Sequence, residues 1–136
     1  SGHGNQIKAL DPDSEYDNMD EVIVPLDWQK NGLITDNILH NKLSNFSNLT
    51  TVKCIFDSCN SGTILDLQYN YYYNTENNTT HLISNQKNYL NNNIICISGC
   101  KDLQTSNVVL NDKGIWNSAL TTIIIQTFNK FQNGLT

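Results

Sequence analysis

The apolar positions of the chain fall into short runs separated by long polar stretches. Two runs, Thr51–Phe56 and Asn93–Ser98, are almost continuously apolar or β-branched, which predicts parallel strands buried on both faces. A shorter run over residues 21–26 predicts a third strand, ended by proline. The acidic stretch before it, residues 7–21, predicts a loop.

Two segments carry a helical pattern instead. The pair Thr35-Asp36 is typical of a helix start, and Ile38, Leu39, Leu43 and Phe46 then recur on one face. Residues 114–131 give the stronger helix, because its large side chains recur at spacings of three and four: Trp116, Leu120, Ile123, Ile124, Thr127, Phe128 and Phe131. Helices that alternate with buried strands predict an α/β layered sheet.

Residues 68–93 are rich in Asn, Tyr and Thr and show no apolar period, which predicts a long mobile connection. The 136 residues suffice for one domain and are too few for two. We therefore divide that domain into a part with residues 1–67, the connection, and a second part with residues 94–136.

Composition excludes several classes of function. The formal net charge is −5 and Lys and Arg are not clustered, so nucleic acid is not an expected partner. No apolar run reaches the 18 or so residues of a membrane span, and no signal peptide is visible. Four cysteines occur, two of them in strand-like runs, which favours a reducing, cytoplasmic location. We expect the intact domain to be a monomer.

One cysteine stands where a nucleophile is expected. Cys59 lies in the polar run 57–62 directly after a predicted buried strand, and His3 lies about 56 residues upstream before a glycine. A cysteine peptidase needs a thiolate, and a histidine provides it by taking the thiol proton. Backbone N–H groups of Gly4 and Cys59 are candidate donors to the oxyanion. The alternatives are a buried structural cysteine and a solvated histidine; the polar residues around Cys59 argue against the first.

Several longer blocks extend this pattern in order along residues 1 to about 122, and together they closely resemble the type I-like metacaspases: SGHGNQ, MDEVIVPLDW, GLITDNIL, CIFDSCNSGTILDLQY and ISGCKDLQTS. The resemblance implies a caspase-like fold, with a mostly parallel central sheet flanked by helices, and a Cys59–His3 dyad. In that family further strands precede the histidine, so we expect an N-terminally incomplete fragment whose own activity is left open.

The same resemblance assigns the substrate pocket. Asp57 matches the family's acidic residue of the primary specificity pocket, which selects Arg or Lys before the cut, and Ser1 matches a serine of that pocket. A carboxylate suits a guanidinium, which it can hold through two parallel hydrogen bonds. The alternative for Asp57 is a surface or capping carboxylate at the end of a strand.

The resemblance also implies activation by Ca²⁺. The family's ligands fall on Asp20, Asp36, Asn37 and Asp66, with Asn37 standing where Asp is usual, so binding is expected to be weak. Such enzymes often cut themselves at basic residues, and Lys87, in the mobile connection, is a candidate for self-cleavage; the alternative is a surface lysine.

The sequence thus predicts a calcium-stimulated cysteine endopeptidase that cleaves proteins or peptides after Arg or Lys through an acyl-thioester. Two rivals stay open at this point: a calcium-independent peptidase like the paracaspases, and a non-catalytic caspase-like interaction module.

Overall fold

A computed structural model describes residues 1–9, 18–85, 89–110, 114–132 and 134 of the chain. Within these residues, nine strands form four small sheets: β1 (Gly4–Lys8), β2 (Met19–Ile23), β3 (Ile34–Thr35), β4 (Thr51–Phe56), β5 (Tyr69–Asn74), β6 (Thr79–Ser84), β7 (Asn93–Ser98), β8 (Val108–Leu110) and β9 (Trp116–Ser118). The three helices are α1 (Trp28–Asn31), α2 (Asp36–Ser44) and α3 (Ala119–Gln132). The α/β class is therefore confirmed.

The central pair of strands matches the predicted runs. β4 and β7 have the predicted bounds and pair in parallel, with Cys54 opposite Cys96. Only one face of this pair is covered, because burial alternates along both strands and Ile55 and Ile95 stay half exposed or more. The prediction of strands buried on both faces was wrong. The other sheets of the described residues are antiparallel, so no large, mostly parallel sheet is present there.

The N-terminal region holds more regular structure than predicted. β1 extends to Lys8 and β2 begins at Met19, both inside the stretch predicted as a loop, and β2 ends at Ile23. The two strands form an antiparallel ladder in which Gly4 faces Ile23. A pairing of this kind satisfies backbone groups whatever the polarity of the side chains, so apolar periodicity missed it.

The stretch 68–93 was also interpreted wrongly. β5 and β6 form an antiparallel hairpin in it, with Tyr71 opposite Leu82. Tyr and Thr favour strands, but both faces of this hairpin carry polar or aromatic side chains and no apolar alternation results. The hairpin is fastened to the rest of the protein by the Lys101 ammonium, which lies 4.2 Å from the centre of the Tyr72 ring.

Both predicted helices exist. α2 begins at Asp36, and the hydroxyl of Thr35 accepts the Ile38 N–H at 3.3 Å as its N-terminal cap. α3 begins at Ala119 rather than at residue 114, because residues 116–118 pair with β8 as a strand.

The core lies between α2 and the covered face of the β4–β7 pair. Leu43, Ile64 and Leu65 are its buried centre. Segment 57–66 therefore has its apolar end fixed in the core while its polar beginning lies at the end of β4. Across the described stretches, no helix combines the length and apolarity that crossing a membrane requires.

Candidate active site

The loop that carries His3 lies directly against the loop that carries Cys59. The Gly2 N–H donates to the Asp57 carbonyl at 3.2 Å, and the His3 carbonyl accepts the Val24 N–H at 3.0 Å. A Cβ placed on Gly4 would overlap the carbonyl oxygen of Cys59 and lie 3.2 Å from Ser58 Cβ. Glycine is therefore the residue that this close backbone approach permits. The two segments are brought together; catalysis by the dyad and oxyanion binding by Gly4 and Cys59 stay predictions.

Cys59 is half buried at the edge where the parallel strands β4 and β7 end. Its Sγ accepts the backbone N–H of Ser106 at 3.4 Å, and the next residue, Asn60, adopts a left-handed conformation with φ of 52°. The Asn60 N–H donates to the Gln104 carbonyl at 3.1 Å. The loop after β7 thus contacts the Cys59 loop through Gln104 and Ser106, as expected where carboxyl ends of parallel strands meet.

Asp57 is 4% exposed and its carboxylate is held by three described donors. Oδ1 accepts the Ser106 hydroxyl at 2.8 Å, whereas Oδ2 accepts the Thr121 N–H at 2.7 Å and the Thr121 hydroxyl at 2.6 Å. Burial alone raises the pKa of Asp57, but the neighbouring Ser118, Thr121 and Ser106 outweigh it and lower the pKa to about 2.

The contact with Thr121 has a simple cause. Thr121 is the third residue of α3, and the first N–H groups of a helix have no partner inside it. A carboxylate placed there satisfies one of them and is favoured by the helix dipole. Asp57 therefore acts as a capping carboxylate, which was the alternative to its pocket role.

A cleft of about 430 Å³ opens beside these residues, lined among others by Ser1, Trp116, Ser118 and Thr121. The buried Oγ of Ser118 has no hydrogen-bond partner among the described residues. Ser118 nevertheless lies close enough to Asp57 to be the foremost of the neighbours that lower the pKa of that carboxyl. The cleft thus has in its lining both Ser1 and Thr121, and Thr121 holds the Asp57 carboxylate.

Three of the four predicted calcium ligands come together. The Asn37 side-chain amide donates to Asp20 Oδ1 at 3.3 Å, and the Asp36 carboxylate accepts the N–H groups of Glu21 at 2.6 Å and Asn37 at 2.7 Å. Asp20 is buried, and its Oδ2 has no hydrogen-bond partner among the described residues.

Asp66 is buried in a left-handed conformation with φ of 47°. In the part of the chain that the structure describes, no group of three or more His, Cys, Asp or Glu side chains is arranged to hold a metal ion.

A second acidic group, which the sequence did not suggest, links this region to the loops around Cys59. Glu21 is buried, and it accepts the Thr63 hydroxyl at 2.6 Å and the Gln6 amide at 2.8 Å. Burial raises the pKa of Glu21 to about 7, and the nearby Asp102 and Asp36 add to the rise while the two hydrogen bonds oppose it. The Thr63 N–H in turn donates to Asp102 Oδ1 at 2.8 Å.

Sequence reasoning also missed Ser106 and Thr121, the residues that hold Asp57 and Cys59. Ser106 lies at the end of the block ISGCKDLQTS, and its position soon after a buried strand was the one available signal. Thr121 sits in the helical run and gave none. Lys87, the predicted self-cleavage site, lies outside the described residues.

Comparison with known proteins shows which family the chain is similar to. Residues 1–68 match the family described as metacaspase, peptidase C14 domain. The chain is 37% identical over 117 residues to metacaspase-2 of Trypanosoma brucei brucei, an alignment that covers 82% of this chain and 33% of that protein. It is 44% identical over 72 residues to metacaspase-1 of Candida glabrata, covering 52% of this chain and 18% of that protein.

A third relative, metacaspase-1 of Kluyveromyces lactis, is 47% identical over 72 residues, covering 52% of this chain and 16% of that protein. The chain thus spans a third or less of the length of the curated relatives it matches.

Proposed function

The chain belongs to the metacaspase family of C14 peptidases, and we propose that it carries the catalytic dyad of a cysteine endopeptidase that cleaves after basic residues. The observation that carries the proposal is the close backbone contact between Gly4 and Cys59, which sets the His3 loop against the Cys59 loop. A chain that used His3 and Cys59 for unrelated purposes has no need of this approach. The caspase-like layered fold is part of the same proposal, supported by the family and by the parallel β4–β7 pair.

In the proposed reaction His3 takes the proton of the Cys59 thiol, and the sulfur attacks the scissile carbonyl. The tetrahedral oxyanion is stabilised by backbone N–H groups of Gly4 and Cys59, and its collapse expels the amine, to which His3 returns the proton. An acyl-thioester remains, and water activated by His3 releases it. The Ser106 N–H, which already contacts Sγ at 3.4 Å, supports a negatively charged sulfur during these steps.

Specificity for Arg or Lys is proposed to come from Asp57 and Ser1. Asp57 stays ionised at any physiological pH, since its pKa is about 2, and Ser1 lines the cleft beside it. A buried anion next to a cleft favours a cationic side chain there, because the charge is screened less than at the surface.

Calcium stimulation is proposed to act through Asp20, Asp36 and Asn37, with Asp66 as a further oxygen donor. The unpartnered, buried Oδ2 of Asp20 supports this, since an oxygen-preferring cation would satisfy it. Bound Ca²⁺ would supply positive charge to a cluster that otherwise holds carboxylates close together. Asp36 meanwhile orients the cluster by accepting the N–H groups that start α2 and extend β2.

The test is hydrolysis of a fluorogenic peptide with Arg before the cut by the full-length protein, in Ca²⁺ and in chelator. We expect Cys59→Ala and His3→Ala to abolish hydrolysis, and Cys100→Ser to retain it. Cys100 is the matched control, because its thiol lies near the same loop and donates to the Ser58 carbonyl at 3.2 Å. Hydrolysis that survives Cys59→Ala would overturn the assignment, and an equal rate in chelator would favour the calcium-independent peptidase.

Two smaller proposals accompany this one. The four cysteines are free thiols, which supports a location in the reducing cytoplasm. Self-cleavage is proposed at Lys87. The full-length Lys87→Ala variant should then stay uncut, whereas the Lys101→Ala variant should still cut itself.

A further inference from the structure

The peptide group between Ser58 and Cys59 carries one of the two N–H groups proposed to bind the oxyanion. Its N–H belongs to Cys59 and its carbonyl belongs to Ser58. The peptide is trans and planar, so its carbonyl and its N–H point in opposite directions. Whatever holds the Ser58 carbonyl therefore sets the direction in which the Cys59 N–H points.

The Ser61 hydroxyl is the principal donor to that carbonyl. It donates to the Ser58 oxygen at 2.9 Å, and Ser61 is 0% exposed, so water does not compete for this contact. The Cys100 thiol also reaches the Ser58 oxygen at 3.2 Å, but it lies 3.3 Å from the Gln104 carbonyl as well. A thiol has one weakly donated proton to share between two such acceptors.

The backbone of this loop does not hold the Ser58 carbonyl. In a hydrogen-bonded β-turn that began at Ser58, the N–H of Ser61 would donate to the carbonyl three residues earlier. That backbone bond is absent among the described residues. Asn60, between the two, has a left-handed conformation and donates its own N–H to the Gln104 carbonyl. The side chain of Ser61 thus takes the place of the missing backbone hydrogen bond.

We propose that Ser61 is a positioning residue whose buried hydroxyl fixes the peptide between Ser58 and Cys59, so that the Cys59 N–H faces the substrate carbonyl. The hydrogen bond also polarises the peptide, which makes its N–H a stronger donor. Ser61 is fully buried, so it acts through this peptide group and not by contact with the substrate. The inference rests on the proposed peptidase function, which it deepens by naming what orients an oxyanion donor.

The first test is hydrolysis of the fluorogenic peptide with Arg before the cut (the Arg peptide) by full-length Ser61→Ala. Loss of a whole oxyanion donor costs about 10²–10³ in kcat, but here the Cys59 N–H remains and is only held less firmly. We therefore expect kcat to fall about 10- to 100-fold. KM should stay within about threefold, because the oxyanion forms only in the transition state. An unchanged kcat would overturn the proposal.

The second test separates the oxyanion from the thiol. A peptide aldehyde ending in Arg forms a bond between the Cys59 sulfur and its carbonyl carbon, and the thiol proton passes to the aldehyde oxygen, which occupies the oxyanion site. Iodoacetamide alkylates the same sulfur and expels iodide without forming an oxyanion. In Ser61→Ala we expect the aldehyde to bind about 10- to 100-fold more weakly, while the alkylation rate stays within about twofold. Equal losses in both would show that Ser61 supports the thiol or the whole loop, and would overturn the proposal.

Ser44→Ala is the matched control. The Ser44 hydroxyl also donates to the carbonyl three residues earlier, that of Asn41 at 2.8 Å, but Ser44 is the exposed last residue of α2. This variant should keep the wild-type kcat, aldehyde affinity and alkylation rate. A fall in kcat as large as that of Ser61→Ala would show that any bond of this kind affects turnover, and would overturn the assignment to Ser61.

A second variant keeps the proposal testable if Ser61→Ala fails to fold. Ser61→Cys keeps a donor at this position, although a weaker one, so it should bind the aldehyde about 3- to 10-fold more weakly than the wild type. The assay contains reductant, because the Cys100 sulfur lies 3.9 Å from the Ser61 oxygen and could form a disulfide with the new thiol. Unchanged affinity would overturn the proposal. If the wild type neither cuts the Arg peptide nor binds the aldehyde through Cys59, the proposed function itself fails, which is a different result.

Discussion

Replacing Gly4 with alanine tests the contact on which the proposed active site depends. The added methyl group would overlap the Cys59 carbonyl oxygen, and it would lie 3.2 Å from both the Cys59 carbonyl carbon and Ser58 Cβ. Ordinary contacts between carbon atoms are about 3.5–4.0 Å, so the two loops must separate. The atoms that obstruct the methyl group are mostly backbone, which no side-chain rotation can move aside.

The expected cost follows from the size of that separation. Relief of the overlap requires roughly 1 Å of movement between the His3 and Cys59 loops, and a displacement of this size can lower a catalysed rate about 10²-fold. Forcing a methyl group into a filled space also costs about 1–3 kcal/mol of folding free energy. We therefore expect Gly4→Ala to reduce kcat/KM by about two orders of magnitude while the protein remains folded at moderate temperature.

The assay is steady-state hydrolysis of the Arg peptide by the full-length protein, together with thermal unfolding of each variant. Gly2→Ala is the matched control, since a Cβ at Gly2 meets nothing within 4 Å and Gly2 is two residues away in the same segment. It should retain activity within about twofold and an unchanged melting temperature. Equal activity of Gly4→Ala and Gly2→Ala would refute the claim that the close approach serves catalysis.

Three further predictions concern charge and thiol chemistry. Asn37→Asp should tighten Ca²⁺ binding about tenfold in a calorimetric titration, because it adds a carboxylate charge to the cluster; unchanged affinity would remove Asn37 from the ligands. The carboxyl of Asp57 titrates near 3.8 when unfolded and near 2 when folded, so its ionised form stabilises the protein fully above 3.8 and this contribution is lost as pH falls through 2. As pH falls from 3.8 to about 2, the melting temperature should therefore fall less steeply in Asp57→Asn than in the wild type. Parallel curves of melting temperature against pH would contradict this. Burial raises the pKa of Cys96 to about 11, so iodoacetamide should alkylate Cys96 more than about tenfold slower than Cys59, as peptide mapping would show. Burial also raises the pKa of Cys54, so Cys54 should be alkylated more slowly than Cys59 as well.

Local patterns predicted the parts of the fold whose burial follows their own sequence. β4 and β7 are dense in apolar and β-branched residues, and both have the predicted bounds. α2 begins at the predicted cap, because Thr35 and the apolar positions after it act within one or two turns of helix. The β5–β6 hairpin escaped prediction, since neither of its faces forms an apolar stripe that a period could reveal.

The candidate site divides in the same way. Cys59, His3 and Asp57 could be singled out because their residue types and their neighbours in sequence carry the signal. That Asp57 is also a cap for α3 could not be foreseen, because Thr121 lies 64 residues away and the contact depends on how α3 meets the end of β4.

The sequence by itself determined the family, the central strands and the residues to test as nucleophile and base, since these depend on residue type and local order. The tertiary structure decided which of those residues meet, how closely Gly4 approaches Cys59, and which donors hold the Asp57 carboxylate. Directions of hydrogen bonds between distant segments are set by packing, and no pattern of polar and apolar positions encodes them.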